Sequence, residues 1–197
     1  MRPTTSAYHH GDLPAALVRE AIELLEEGGS NELSLRAVAR RADVSTAAPY
    51  RHFADRQALL SAVAAVGYRE LAQHLAAANP DPKTADDFAD IAIAYVQFAL
   101  QRPGLFRAMF VEPCDSGSPD RVAAVDAITE YLKSIVHQAF PDVDADAGAK
   151  ATWSLVHGLA FLHLDGKFDA SSADVIAETV RAVVRVTLTA SGRVATK

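Results

Sequence analysis

Ser45, Thr46, Tyr50, Arg51, His52 and Arg56 gather two hydroxyls, a phenol, an imidazole and two guanidiniums into twelve residues, with the small Ala47 and Ala48 between them. Side chains of these types hydrogen-bond to phosphate oxygens and base edges. A segment with little bulk at its leading end can enter a DNA major groove, which is about 12 Å wide. Charge is distributed to match. The 197 residues carry a formal charge of -6, which alone argues against a polyanion-binding protein. Residues 34–56, however, hold Arg36, Arg40, Arg41, Arg51 and Arg56 against Asp43 and Asp55, a local +3 that leaves -9 for the remainder. An acidic body with a basic head stays soluble while binding DNA locally.

Elsewhere the chemistry is sparse. There is no Gly-x-Ser-x-Gly elbow, Gly-rich phosphate loop or His-Glu-x-x-His pair, and the paired Glu-x-x-His motifs of di-iron bundles are absent. His157 and His163 are six residues apart and cannot share a helix face well. No catalytic residue, metal or cofactor is therefore expected. Cys114, the single cysteine, excludes an internal disulfide framework and suits a reducing cytoplasm. Residues 1–6 do not resemble a signal peptide, and the most apolar stretch, Val175 to Leu188, is interrupted by Glu178, Arg181 and Arg185. The expectation is a soluble cytoplasmic protein with no membrane partner.

The elements that must position these residues are helices. Apolar residues recur at helical spacing nearly throughout, without the sustained alternation of strands, so the fold class is all-α with about nine helices. The first begins at Asp12 as N-cap, tolerates Pro14 in its first turn and stops at Gly28-Gly29. Ser34 caps a short second helix with Leu35, Val38, Ala39 and Ala42 on one face. A third, of barely two turns, is predicted from Ser45 or Thr46, because Pro49 costs about 3 kcal/mol inside a helix but little in its first turn. So short a helix persists only through packing, for which Val44, Phe53, Leu59 and Leu60 are the candidates. Asp55 caps a longer helix to about Ala78, and five more follow to Ala190, the last two apolar over more than one face.

A short helix, a tight turn and a small exposed second helix are the parts of a helix-turn-helix. The order Leu35-Arg36-x-Val38-Ala39-x-x-Ala42-x-Val44-Ser45, then Pro49-Tyr50-x-His52-Phe53-x-x-Arg56-Gln57-x-Leu59-Leu60, resembles the N-terminal pattern of TetR-family transcriptional regulators. Trp153, His157 and Gly158 are similar to a subset of that family with a Trp-His-Gly signature in the C-terminal domain. The resemblance implies a three-helix helix-turn-helix domain over residues 8–57 and an all-α ligand-binding and dimerisation domain over 58–197. One departure stands out: Asp43 occupies the turn position that usually holds glycine. There a positive φ costs an aspartate about 1 kcal/mol, and its charge opposes phosphate.

The DNA-contacting set is Arg36, Ser45, Thr46, Ala47, Ala48, Tyr50, Arg51, His52 and Arg56. Of these, Arg36, Thr46, Tyr50 and His52 resemble family positions that touch DNA, and Arg56 stands where the family often has lysine, beside backbone N–H groups suited to a phosphate. Tyr8, His9 and His10 are candidates for an arm on the DNA backbone. Phe88, Tyr95, Phe98, Phe106, Met109, Phe110, Trp153, His157 and Phe161 are core by default, but the resemblance makes them the lining of a pocket for an apolar small-molecule inducer. Leu155, Leu159, Ile176, Val180, Val183, Val184 and Leu188 are the expected homodimer interface. The reading is a sequence-specific regulator, a repressor released from a palindromic double-stranded operator by its inducer. Two alternatives share the sequence features: a helix-turn-helix protein without a small-molecule switch, and a helical bundle that binds a small molecule and ignores DNA.

Overall fold

A computed structural model describes residues 12–194, and side chains through residue 188. The candidate arm, Tyr8, His9 and His10, lies outside the described residues. Among the described residues there are eight α-helices: α1 (Leu13–Gly28), α2 (Leu35–Arg41), α3 (Arg56–Ala78), α4 (Ala85–Gln101), α5 (Pro103–Phe110), α6 (Pro119–Ala139), α7 (Ala145–Leu164) and α8 (Ala173–Val194). Among the described residues there is no strand, and no helix is long and apolar enough to cross a membrane.

The helices start where short polar side chains can replace missing backbone partners. Asp12, Ser34, Asp55 and Asp144 each accept the N–H three residues on, at 3.2, 3.1, 2.8 and 2.8 Å. Such a cap contributes about 1 kcal/mol. At α4 the exchange is reciprocal, with Thr84 and Asp87 each accepting the other's backbone N–H.

The segment expected to be a third α-helix is not one. Ala48 donates its N–H to the Ser45 carbonyl at 2.9 Å in a tight turn, and Pro49–Arg51 is a single 3-10 turn with no capping side chain. An α-helix capped at Ser45 would need its first backbone bond from residue 49 back to the Ser45 carbonyl. Pro49 has no N–H to make it. Neither Ser45 nor Thr46 caps this turn with its side chain, and among the described residues the α-helices number eight, not nine. The packing beneath is as expected, with Phe53 8% exposed and Leu59 and Leu60 fully buried.

One contiguous core joins the N-terminal helices to the rest. α3 runs from the helix-turn-helix unit into the bundle, where it packs on α5 and α6, while α4 packs on α7 and α8. The two parts also meet where α1 touches α5. Glu26 accepts the N–H groups of Gly104 (2.9 Å) and Leu105 (3.2 Å) and the Arg102 Nε (3.2 Å), placing a carboxylate on the positive end of α5. The approach is so close that a Cβ on Gly104 would strike the Leu25 carbonyl.

Candidate functional site

The polar turn is presented outward. Ser45, Thr46, Ala47, Tyr50, Arg51 and His52 are exposed and Ala48 is half-buried, over buried Pro49 and Phe53. Tyr50, at 51% exposure, belongs to the surface and not to the core. Arg36, Arg40 and Arg51 are exposed and have no ion-pair partner among the described residues. Arg41 differs: Glu20 holds its Nε at 2.9 Å and Glu27 grips both terminal nitrogens. The hydrogen bonds from Arg41 keep the Glu27 carboxyl below the usual range. The turn between α2 and the polar segment carries Asp43 at φ +52°, the left-handed conformation its position demanded.

Arg56 does not take the expected phosphate-facing place. Its guanidinium donates to the carbonyls of Leu33 (3.2 Å) and Ser30 (2.9 Å) and to the Glu112 carboxylate (3.1 Å). These acceptors tie the helix-turn-helix unit to the loop after α5, and Arg56 is removed from the DNA-contacting set.

A cavity of about 350 Å³ lies between α3, α5 and α7, lined by Tyr68, Phe110, Lys150, Trp153, Ser154 and His157. Three of the nine expected pocket residues, Phe110, Trp153 and His157, are therefore in its wall. Tyr95 stands behind them: its oxygen accepts the Trp153 indole N–H at 3.2 Å and lies 3.1 Å from His157 Nδ1. Phe106 and Phe161 flank the His157 ring, with centroids 5.8 and 4.8 Å away. The others lie elsewhere. Met109 is buried, Phe98 packs against His74, and Phe88 lines a separate apolar cavity of about 200 Å³ between α4, α6, α7 and α8. The large apolar residues had two hollows to fill, and their type does not say which.

Burial sets the protonation of the wall. It pushes the Tyr68 phenol up to about 12 and raises Tyr95 as well. It lowers His157, favouring the neutral imidazole. Tyr68, Lys150 and Ser154 were not anticipated. A signal for two of them exists, since Lys150, Trp153, Ser154 and His157 follow one another at spacings that share a helix face.

The expected dimer residues divide too. Leu159, Ile176, Val180 and Val184 are 3, 7, 0 and 5% exposed and fill the protomer's own core. α8 lies along α4, so its most regular apolar stripe is already covered, and these four cannot form an interface. Leu155, Val183 and Leu188 are half-buried. The exposed stripe on α7 is Ala147, Ala151, Ser154, Gly158 and Leu162, and on α8 it includes Ala182 and Val186. A Cβ on Gly158 would meet no atom within 4 Å.

Among the described residues no group of three His, Cys, Asp or Glu could hold a metal. An outward polar turn on a helix-turn-helix scaffold, joined by one long helix to a bundle with a cavity, defines a DNA-binding regulator. The comparisons agree. Residues 17–63 match the model of bacterial regulatory proteins of the tetR family, and residues 88–187 match the tetracyclin repressor-like C-terminal domain. The chain belongs to the TetR family of transcriptional regulators, DNA-binding proteins and not enzymes.

Among its relatives of known structure, a Rhodococcus sp. RHA1 protein of unknown function is 34% identical, with 91% of this chain and 97% of that one covered at a TM-score of 0.76. A tetR-family regulatory protein from Rhodococcus RHA1 is 20% identical, with 87% and 94% covered at a TM-score of 0.64. The uncharacterized HTH-type transcriptional regulator YobS of Bacillus subtilis (strain 168) is 24% identical over 147 residues, 74% of this chain and 76% of YobS.

Proposed function

We propose that the protein is a cytoplasmic repressor that acts as a homodimer and is released from a palindromic operator by a small molecule. The observation that carries the DNA half is the sorting of its arginines: Arg41 and Arg56 are held by carboxylates, while Arg36, Arg40 and Arg51 are left free beside exposed Tyr50 and His52. Two such faces would enter successive major grooves about 34 Å apart. The division near residue 57 then falls at the start of α3, which carries Tyr68 to the cavity wall. A ligand that binds better when the two faces are wrongly spaced shifts the population to that state and lowers operator affinity.

The dimer contact proposed is the exposed stripe of α7 with the outer face of α8. Gly158 supports it: glycine inside a helix costs about 1 kcal/mol relative to alanine, and nothing in the protomer requires it there. A close approach by a second copy does.

The test is binding to DNA upstream of the protein's own gene as a function of salt. Arg36→Ala and Tyr50→Ala should weaken selective binding while leaving thermal stability intact, and Arg36→Ala should also flatten the salt dependence by about one unit of slope. Parallel loss of stability and binding in Tyr50→Ala would return that residue to a structural role. Selective binding that no compound relieves would leave a helix-turn-helix protein without a switch.

A further inference from the structure

The wall of the cavity between α3, α5 and α7 holds two nitrogen groups that can meet an anion, an imidazole and an ammonium, and two hydroxyls. An indole N–H only donates, so at 3.2 Å Trp153 makes the Tyr95 oxygen an acceptor. The Tyr95 proton is then available for His157 Nδ1, 3.1 Å away. A neutral imidazole whose Nδ1 accepts carries its proton on Nε2. Burial of the ring against Phe106, Phe110 and Phe161 keeps it neutral. Tyr95 is buried and its hydroxyl has no other acceptor among the described residues, so its proton goes to Nδ1 and His157 carries its own on Nε2, where it has no acceptor among the described residues.

The other polar groups of the wall leave one cation. The Ser154 hydroxyl donates to the Lys150 carbonyl at 2.7 Å, and the Tyr68 hydroxyl donates to the Met109 carbonyl at 3.3 Å. The Lys150 ammonium has no ion-pair partner among the described residues. Asp146, the carboxylate that senses it, is engaged by Lys133 at 2.8 Å. No carboxylate lines the cavity. The remaining surface is the aromatic rings of Tyr68, Phe110 and Trp153.

We propose, on the reading of this cavity as the ligand site, that its ligand is a small aromatic carboxylic acid whose carboxylate meets the His157 Nε2–H and the Lys150 ammonium while its ring lies among Tyr68, Phe110 and Trp153. The size fits that class. A volume of about 350 Å³ is near the lower end of the range of about 300 to 1,000 Å³ for small-molecule sites, enough for a one- or two-ring acid. The Trp153, Tyr95 and His157 chain is a positioning device. It holds the donor nitrogen free for the ligand.

Trp153 is the only tryptophan in the chain and lines the cavity, so its fluorescence reports occupancy directly. Full-length protein is titrated with hydrocinnamate and with its neutral isostere hydrocinnamamide, using wild type, Lys150→Met and Tyr95→Phe, with thermal melts to confirm folding. The acid is expected to bind about tenfold or more tightly than the amide, the difference made by charge-assisted hydrogen bonds. Lys150→Met should weaken the acid and spare the amide, and Tyr95→Phe should reduce the preference while Tyr95→His, which keeps a donor, restores part of it. Equal binding of acid and amide overturns the acid class and leaves the cavity as a ligand site. A preference for acid that survives Lys150→Met and Tyr95→Phe overturns the assignment to these groups. No response of Trp153 to either probe at millimolar concentration overturns the proposal, and operator release by neutral compounds then judges the cavity reading separately.

Discussion

Asp43 is a single residue on which two physical effects act in the same direction. Its φ of +52° is a conformation glycine adopts freely and a branched side chain resists, and its carboxylate sits in the turn that precedes the DNA-facing segment. Asp43→Gly should raise unfolding stability by about 0.5–1 kcal/mol in urea titration. It should also tighten operator binding most at low salt, because a repelled charge has been removed. A variant that is less stable, or whose DNA gain persists unchanged at high salt, would contradict this account. The turn geometry was legible because the position within the motif demands it. The fate of Arg56 was not, because its partner Glu112 is 56 residues further along the chain and only the fold brings them together.

At the scale of the element, the capping box of α4 makes a pH-dependent contribution. The backbone N–H of Lys83, with the hydroxyl and N–H of Thr84, holds the Asp87 carboxyl down to about 2 from its ordinary 3.8. A depressed carboxylate contributes its full stability above the ordinary value and loses it as the pH falls between about 4 and 2. Thermal melts of wild type should therefore decline over that window more steeply than those of Asp87→Asn, which starts lower and stays flatter. His157 acts in the same direction at higher pH: held neutral by burial, it favours the unfolded state as the pH drops below its ordinary 6.5. Helix positions were readable from caps and periodicity, whereas the covered face of α7 and α8 was not. Both faces of these helices are apolar, and only the packing on α4 shows that Val180 and Val184 point inward while Val186 is 70% exposed. The polar segment failed in the opposite way. Its residue types were read correctly, and the missing N–H of Pro49 turned the expected helix into a 3-10 turn.

For the whole molecule, Gly158 separates protomer stability from assembly. Gly158→Ala has room within the protomer and should favour α7 by about 1 kcal/mol if the protomer is measured alone. Gly158→Phe should leave the fold intact and yet shift sedimentation from dimer to monomer at micromolar concentration, with selective operator binding lost in parallel. A Gly158→Phe protein that remains dimeric would move the interface off this stripe. The all-α, two-part organisation was recoverable from motif order and helical spacing. Assembly was less so, because a sequence shows which residues are apolar but not which of them are already covered.

α5 has eight residues and is about 12 Å long, with Glu26 of α1 on its first amides and Phe110 of the cavity wall at its last position. Under the proposed release mechanism, a displacement of Phe110 by ligand is carried to the helix-turn-helix unit through about two turns of helical backbone, and the same path runs backwards. Linkage requires that operator DNA lower ligand affinity by the factor with which ligand lowers operator affinity. Under the proposed release mechanism, each operator then sets its own dose threshold: in one cell, at one ligand concentration, a weak site is vacated while a strong site remains closed.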